Sequence, residues 1–122
     1  MILILGGTTE GRKVVGIAEE AGKPYYYSTK GDEQEISLQH GIRLTGALTQ
    51  TTMKAFCREN GIRLLVDAAH PFAEQLHATV TAVSQALGIP CIRYERMYDD
   101  LFKLFNEEMY DEYPLKLREK YE

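Results

Sequence analysis

Ile2-Leu3-Ile4-Leu5 is an unbroken apolar run that ends in Gly6-Gly7, the pattern of a strand buried on both faces of a parallel sheet. The period then changes to that of a helix. Between Glu10 and Ala21, Val14, Val15, Ile17 and Ala18 share one stripe, Arg12, Lys13, Glu19 and Glu20 fall outside it, and Gly22 is a stop signal. Pro24 opens the strand-prone run Tyr25-Tyr26-Tyr27-Ser28, which ends near Lys30-Gly31. Strand, helix and strand complete a βαβ unit.

Residues 32–41 are polar and read as a loop, with room for a short strand touching Ile36 and Leu38. Ile42 to Leu48 is a third strand broken by Gly46, and Thr49 opens a helix carrying Met53, Ala55, Phe56 and Cys57 to a stop at Asn60-Gly61. Ile62 to Val66 is the next strand and delivers Asp67-Ala68-Ala69-His70-Pro71. Pro71 fits the first position of a helix running through Ala73, Leu76, Val80, Val83 and Leu87 to Gly88, and Ile89 to Tyr94 is the last strand. The alternation predicts an α/β fold: a Rossmann-like, doubly wound parallel sheet with right-handed crossovers, forming a single domain over residues 1–97. Residues 98–122 read as an acidic, partly helical tail in which Tyr98, Leu101, Phe102, Phe105 and Met109 fall at helical spacing before Tyr113-Pro114. That stripe packs back on the domain or forms a dimer contact.

Charge narrows the list of partners. Of the 122 residues and the net charge of −4, the first 97 positions contribute nothing, because their acidic and basic side chains balance; the surplus belongs to the tail. A neutral body lacks the cationic surface that nonspecific nucleic-acid binding requires. Cys57 and Cys91 match no metal or redox spacing and are expected as free thiols in a reducing cytoplasm. The opening apolar run has no basic leader and is too short for a signal peptide or a membrane span.

The chemistry gathers at the strand ends. Gly6-Gly7-Thr8-Thr9-Glu10-Gly11 puts glycines at a strand tip and hydroxyls at a helix start, where backbone N–H groups and the helix field suit a pyrophosphate. Thr8 and Thr9 either donate hydroxyls to phosphate or cap the helix. Glu10 either contacts a ribose hydroxyl or favours the helix dipole, and Gly11 suits close helix packing. Ser28-Thr29-Lys30 ends the second strand with hydroxyls and a cation, favouring NADPH over NADH, although Asp32 keeps a ribose contact and NADH open. Asp67, Ala68, His70, Pro71 and Phe72 would lie at the same sheet edge. His70 is a candidate catalytic proton donor, a phosphate or nicotinamide ligand, or a structural cap. Asp67 suits fixing its own loop. His77 and His40 read as solvated surface, and no third ligand suggests a metal.

Ile-Leu-Ile-Leu-Gly-Gly-Thr-Thr-Glu-Gly at the start, Val66-Asp67-Ala68-Ala69-His70-Pro71-Phe72-Ala73, and Gly88-Ile89-Pro90-Cys91-Ile92-Arg93-Tyr94-Glu95-Arg96 together resemble the precorrin-6A reductases over residues 2–96. Gly46 resembles the glycine that follows the third strand in that family. The resemblance implies NAD(P)H-dependent hydride transfer to the macrocycle precorrin-6A, giving precorrin-6B, in cobalamin biosynthesis. It assigns Gly6, Gly7, Thr8 and Thr9 to cofactor phosphates and Asp67 to Phe72 to the nicotinamide end. Members of that family continue into a second domain, so much of the tetrapyrrole site is expected elsewhere, on a longer chain or a partner chain. A rival reading is a non-catalytic dinucleotide-binding or assembly module that recruits a partner, or dimerises, through the tail.

Overall fold

The computed structural model describes residues 1–31, 34–70 and 72–94. The expectations for Asp32, Pro71 and the tail at 98–122 therefore lie outside the described residues.

Eight elements alternate along the chain: β1 (Ile2–Leu5), α1 (Thr9–Ala21), β2 (Tyr25–Thr29), β3 (Gly41–Thr45), α2 (Gln50–Glu59), β4 (Leu64–Asp67), α3 (Glu74–Leu87) and β5 (Cys91–Arg93). The five strands form one sheet in the order β3-β2-β1-β4-β5, every neighbouring pair parallel. The unbroken apolar run of β1 follows from its central place. Ile2 and Ile4 pack with Val14, Val15 and Ala18 of α1, whereas Leu3 and Leu5 pack with Met53 and Cys57 of α2 and Val80 and Val83 of α3. Alternate side chains thus serve opposite layers, and each layer excludes water from one face.

Local chemistry sets most boundaries. Thr8 caps α1 by accepting from Gly11 N, and Thr49 caps α2 in a reciprocal box with Thr52. Several boundaries differ from the sequence expectation: β3 stops at Thr45 rather than Leu48, and β5 spans only Cys91–Arg93 within the expected Ile89 to Tyr94. Ile62 N donates to Cys57 O, which makes Ile62 part of the turn leaving α2, so β4 begins at Leu64. Helix α3 begins at Glu74 rather than Pro71, because Ala73 N donates back to His70 O and closes a turn ahead of the helix. Ile36 and Leu38 form no strand; they pack against the α1-side core from a loop.

Burial pushes the Cys57 thiol up to about 11 and the Cys91 thiol up to about 12, so both free cysteines remain protonated apolar groups. No described helix is long and apolar enough to cross a membrane.

Far from the strand tips, Glu19 ties the loop before β3 to the body. Its Oε2 accepts from Tyr25 Oη at 2.5 Å, Gln39 N at 3.0 Å and His40 N at 2.9 Å. Desolvation raises the pKa of this carboxyl, but these three donors outweigh it and hold the pKa below its ordinary 4.5. A depressed carboxyl contributes stability above its unfolded pKa, and that contribution fades as pH falls through the folded value. Urea unfolding followed across the acid range should show this loss in the natural protein and a flatter acid limb in Glu19→Gln; an identical pH dependence would refute the assignment.

Candidate functional site at the carboxyl edge of the sheet

Strand β1 leads to α1 on one face of the sheet, and β4, its neighbour, leads to α3 on the other. Diverging connections leave a crevice at the carboxyl ends of the strands, the usual ligand position in open α/β sheets. Here it is a cavity of about 840 Å³. Its floor is Gly6, Gly7 and Thr8; one wall is Ser28 to Gly31 with Gln34 and Gly46 to Gln50; the other is Ala69, His70, Phe72 and the first turns of α3.

The floor is shaped by Tyr27, which is completely buried beneath it. A Cβ on Gly6 would overlap the Tyr27 ring at Cε1, and one on Gly11 would sit 2.7 Å from the Tyr27 hydroxyl. Gly7 has a φ of 105°, a conformation that L side chains rarely adopt. Its N–H donates to Tyr27 Oη at 3.0 Å, and that hydroxyl donates in turn to Gln34 Oε1. Burial raises the Tyr27 pKa against the opposing pull of Gly7 N–H and Arg43, so the phenol keeps its proton. Gln34 Nε2 closes the circuit by donating to Thr8 O at 3.1 Å. Thr8 Oγ1 accepts from Gly11 N and donates to Ala68 O at 2.8 Å. Its hydroxyl is therefore a cap and a bridge between the two loops, so what Thr8 offers the cavity is backbone.

At the end of β2, Ser28 and Thr29 are buried and Lys30 is exposed. Thr29 Oγ1 donates to Gly31 O at 2.5 Å and accepts from Arg43 Nη2 at 2.9 Å. Arg43 also donates to Gln34 O at 2.7 Å and lies 5.6 Å from the centre of the Tyr27 ring. Gly46 N donates to Thr29 O and Lys30 O, drawing the end of β3 to the same wall. Lys30 lines the cavity, and among the described residues it has no ion-pair partner.

The opposite wall depends on Asp67, which is buried at the tip of β4. Its Oδ1 accepts from Ala69 N at 3.2 Å, and its Oδ2 lies 2.5 Å from His77 Nδ1. Asp67 thus does fix its own loop by accepting a backbone N–H. His77 Nε2 reaches His70 O at 2.9 Å. The expectation that His77 is solvated surface is therefore wrong: three residues into α3, its ring turns inward to the buried carboxylate, and only 11% of its side chain is exposed. His70 Nδ1 accepts from Phe72 N at 3.1 Å, and the two rings lie 5.2 Å apart. Phe72 is 84% exposed.

Of the residues expected from the sequence, Gly6, Gly7, Thr8, Ser28, Thr29, Lys30, Gly46, His70 and Phe72 meet at the cavity. Thr9, Glu10, Gly11, Asp67 and Ala68 are not among the residues that line it. Gln34, Arg43, His77 and Tyr27 were not foreseen. Among the described residues, no cluster of three His, Cys, Asp or Glu side chains could hold a metal.

The family model described as precorrin-6x reductase CbiJ/CobK matches residues 1–111 of the chain. A cobalt-precorrin-6A reductase from Priestia megaterium is 35% identical over 99 residues, covering 79% of this chain and 38% of the relative. One from Synechocystis sp. is 33% identical over 98 residues, covering 78% and 38%. Among solved structures, CobK precorrin-6A reductase superposes with a TM-score of 0.71 at 26% identity, over 78% of this chain and 38% of that one. The chain therefore spans about two fifths of the length of these relatives.

The packing of Tyr27 under the loop generates a test. Gly11→Ala should destabilise the fold by about 1–3 kcal/mol through overpacking, although alanine is the better helix former. In a Tyr27→Phe background, which removes the oxygen that the new methyl meets, the same change should cost clearly less. A urea double-mutant cycle measures the coupling, and strict additivity would show that the tyrosine does not dictate the glycine.

Proposed function

The chain belongs to the precorrin-6x reductase CbiJ/CobK family, and we propose that it forms the cofactor-holding part of an NAD(P)H-dependent reductase acting on precorrin-6A, an enzyme of cobalamin biosynthesis. The observation that carries this reading is the convergence on one cavity of the Gly6–Thr8 turn, the Ser28–Lys30 strand end, and His70 with Phe72.

The residues present fit a dinucleotide. The cavity runs from the start of α2, across the glycine turn, to the first turns of α3, and a helix start leaves backbone donors without intrahelical acceptors. In this reading the backbone of Gly6 to Thr9 faces the phosphates, with Glu10 and Gly11 shaping the helix start behind them. Ser28, Thr29, Lys30 and Gly46 border the adenosine ribose, Lys30 pairing with a 2′-phosphate and so favouring NADPH over NADH. Asp67, Ala68, His70, Pro71 and Phe72 form the nicotinamide end. When bound, the nicotinamide supplies the hydride. The chain's own residues bind, orient and exclude water. His70 is the candidate catalytic group, placed to hold or deliver a proton where the reduced macrocycle needs one.

The relatives extend well beyond the matched stretch, and we place most contacts to the tetrapyrrole there. A polypeptide limited to these 122 residues should accordingly bind NADPH without efficient turnover.

Titration with NADPH and NADH, followed by nicotinamide fluorescence, tests the reading. Lys30→Ala should weaken NADPH about tenfold and leave NADH nearly unchanged, and Gly7→Val should abolish both. Equal affinity for the two cofactors would refute the role given to Lys30. Absence of binding by either would refute the dinucleotide site itself.

A further inference from the structure

We propose that Asp67 and His77 are a positioning pair that presents His70 to the ligand as an Nε2–H donor, beside the exposed ring of Phe72, for a flat group bearing an oxygen acceptor. The proposal rests on the cofactor reading only for the ligand's identity, where the carboxamide-bearing nicotinamide ring has the required shape and acceptor.

Hydrogen-bond inventory carries the argument. A carbonyl oxygen can only accept, so His77 Nε2, 2.9 Å from His70 O, bears a proton. The opposite nitrogen, Nδ1, lies 2.5 Å from Asp67 Oδ2 and is hydrogen-bonded to that carboxyl group. Both ends of the ring are consumed, and the ring cannot turn without breaking both contacts. Asp67 is itself fixed at its other oxygen by Ala69 N and at its backbone by strand pairing with Leu5 and Arg93. The position of His70 O is thereby referred to the sheet through two side chains.

The consequence appears one residue further out. His70 Nδ1 accepts from Phe72 N, so the neutral ring must carry its proton on Nε2. His70 lines the cavity and its ring is exposed, leaving Nε2–H as the group that a ligand meets. Phe72, tilted at 40° to that ring and 84% exposed, adds an apolar surface beside the donor. A buried carboxylate needs some partner for stability alone. A partner that also grips the carbonyl of the cavity-lining histidine does more, because it sets where that histidine points.

Imidazole nitrogen chemical shifts of the natural chain give the first test and need no variant. The proposal expects the Nε2–H tautomer at His70 and a proton on Nε2 of His77; an Nδ1–H tautomer at His70 overturns it. The second test compares NADPH with adenosine 2′,5′-bisphosphate, which lacks the nicotinamide end, in His77→Gln and Asp67→Asn. Expected are mixed tautomers at His70, about tenfold weaker NADPH binding, and unchanged affinity for the bisphosphate. Equal weakening of both ligands would mean a purely structural pair, and no change in either would mean no role. If the natural chain binds no NADPH, the proposed function fails, while a His70 tautomer that is the same in the natural chain and in both variants still overturns the pair.

Discussion

Parallel strands whose connections leave on opposite faces part at their carboxyl ends, and the fold must bridge the gap where they part. Here the bridge is the hydrogen bond of 2.8 Å from Thr8 Oγ1 to Ala68 O. Ala68 is fully buried, and an unpaired carbonyl there would cost about 1–3 kcal/mol. The same hydroxyl accepts from Gly11 N and so fixes where α1 begins. One oxygen therefore sets both the start of the helix and the separation of the cavity floor from its far wall. The hydroxyl of this threonine ties the two loops together across the crevice.

The glycines around it answer to two constraints. Gly6 and Gly11 lack side chains because the ring and hydroxyl of Tyr27 occupy the space where a Cβ would project, and Gly7 because its backbone turns through a positive φ. A glycine-rich turn is thus not by itself a phosphate signature, since packing from below accounts for two of its three glycines. What remains for a ligand is the path of the backbone at a helix start, where amide donors lack intrahelical acceptors. Membership of the reductase family, shown over residues 1–111, does not rest on the count of glycines.

The fold was legible because its determinants are local or periodic. The Ile2–Leu5 run could only be a strand covered on both faces, and Thr49, Gly22 and Gly88 mark helix ends at the places where caps and left-handed turns form. The cavity was legible in outline, since strand tips in this topology converge. Less legible were the side chains that reach across elements. His77 lies ten residues beyond Asp67 and seven beyond His70, a spacing that means nothing until the turn closed by Ala73 N on His70 O is known. Starting α3 at Pro71 lengthens the helix backward over that turn, which hides the inward direction of His77. A signal was present nonetheless: an aspartate ending an apolar strand must find donors, and the next helix offers a histidine. Arg43 was hidden differently. On an edge strand it reads as a solvated cation, yet the hydroxyl of Thr29 and the carbonyls of the neighbouring loop draw it inward.

The two walls of the cavity divide their labour by polarity. On the β2 side, Lys30 offers a charge that can travel on a flexible stem, suited to an anion whose position is set mainly by the backbone turn beside it. On the β4 side, nothing travels: Asp67, His77 and the carbonyl of His70 are mutually locked. Hydride transfer demands this asymmetry if a nicotinamide lies on that side, because its reacting carbon must be held within a fraction of an ångström while the distant phosphates need only be retained. The 84% exposure of Phe72 is the remaining loose end. Leaving a phenyl ring in water forgoes about 1.5–3 kcal/mol of burial, a cost that a flat ligand seated beside His70 would recover. Among the described residues, the locked histidine carbonyl and the uncovered ring thus lie side by side at one wall of the cavity.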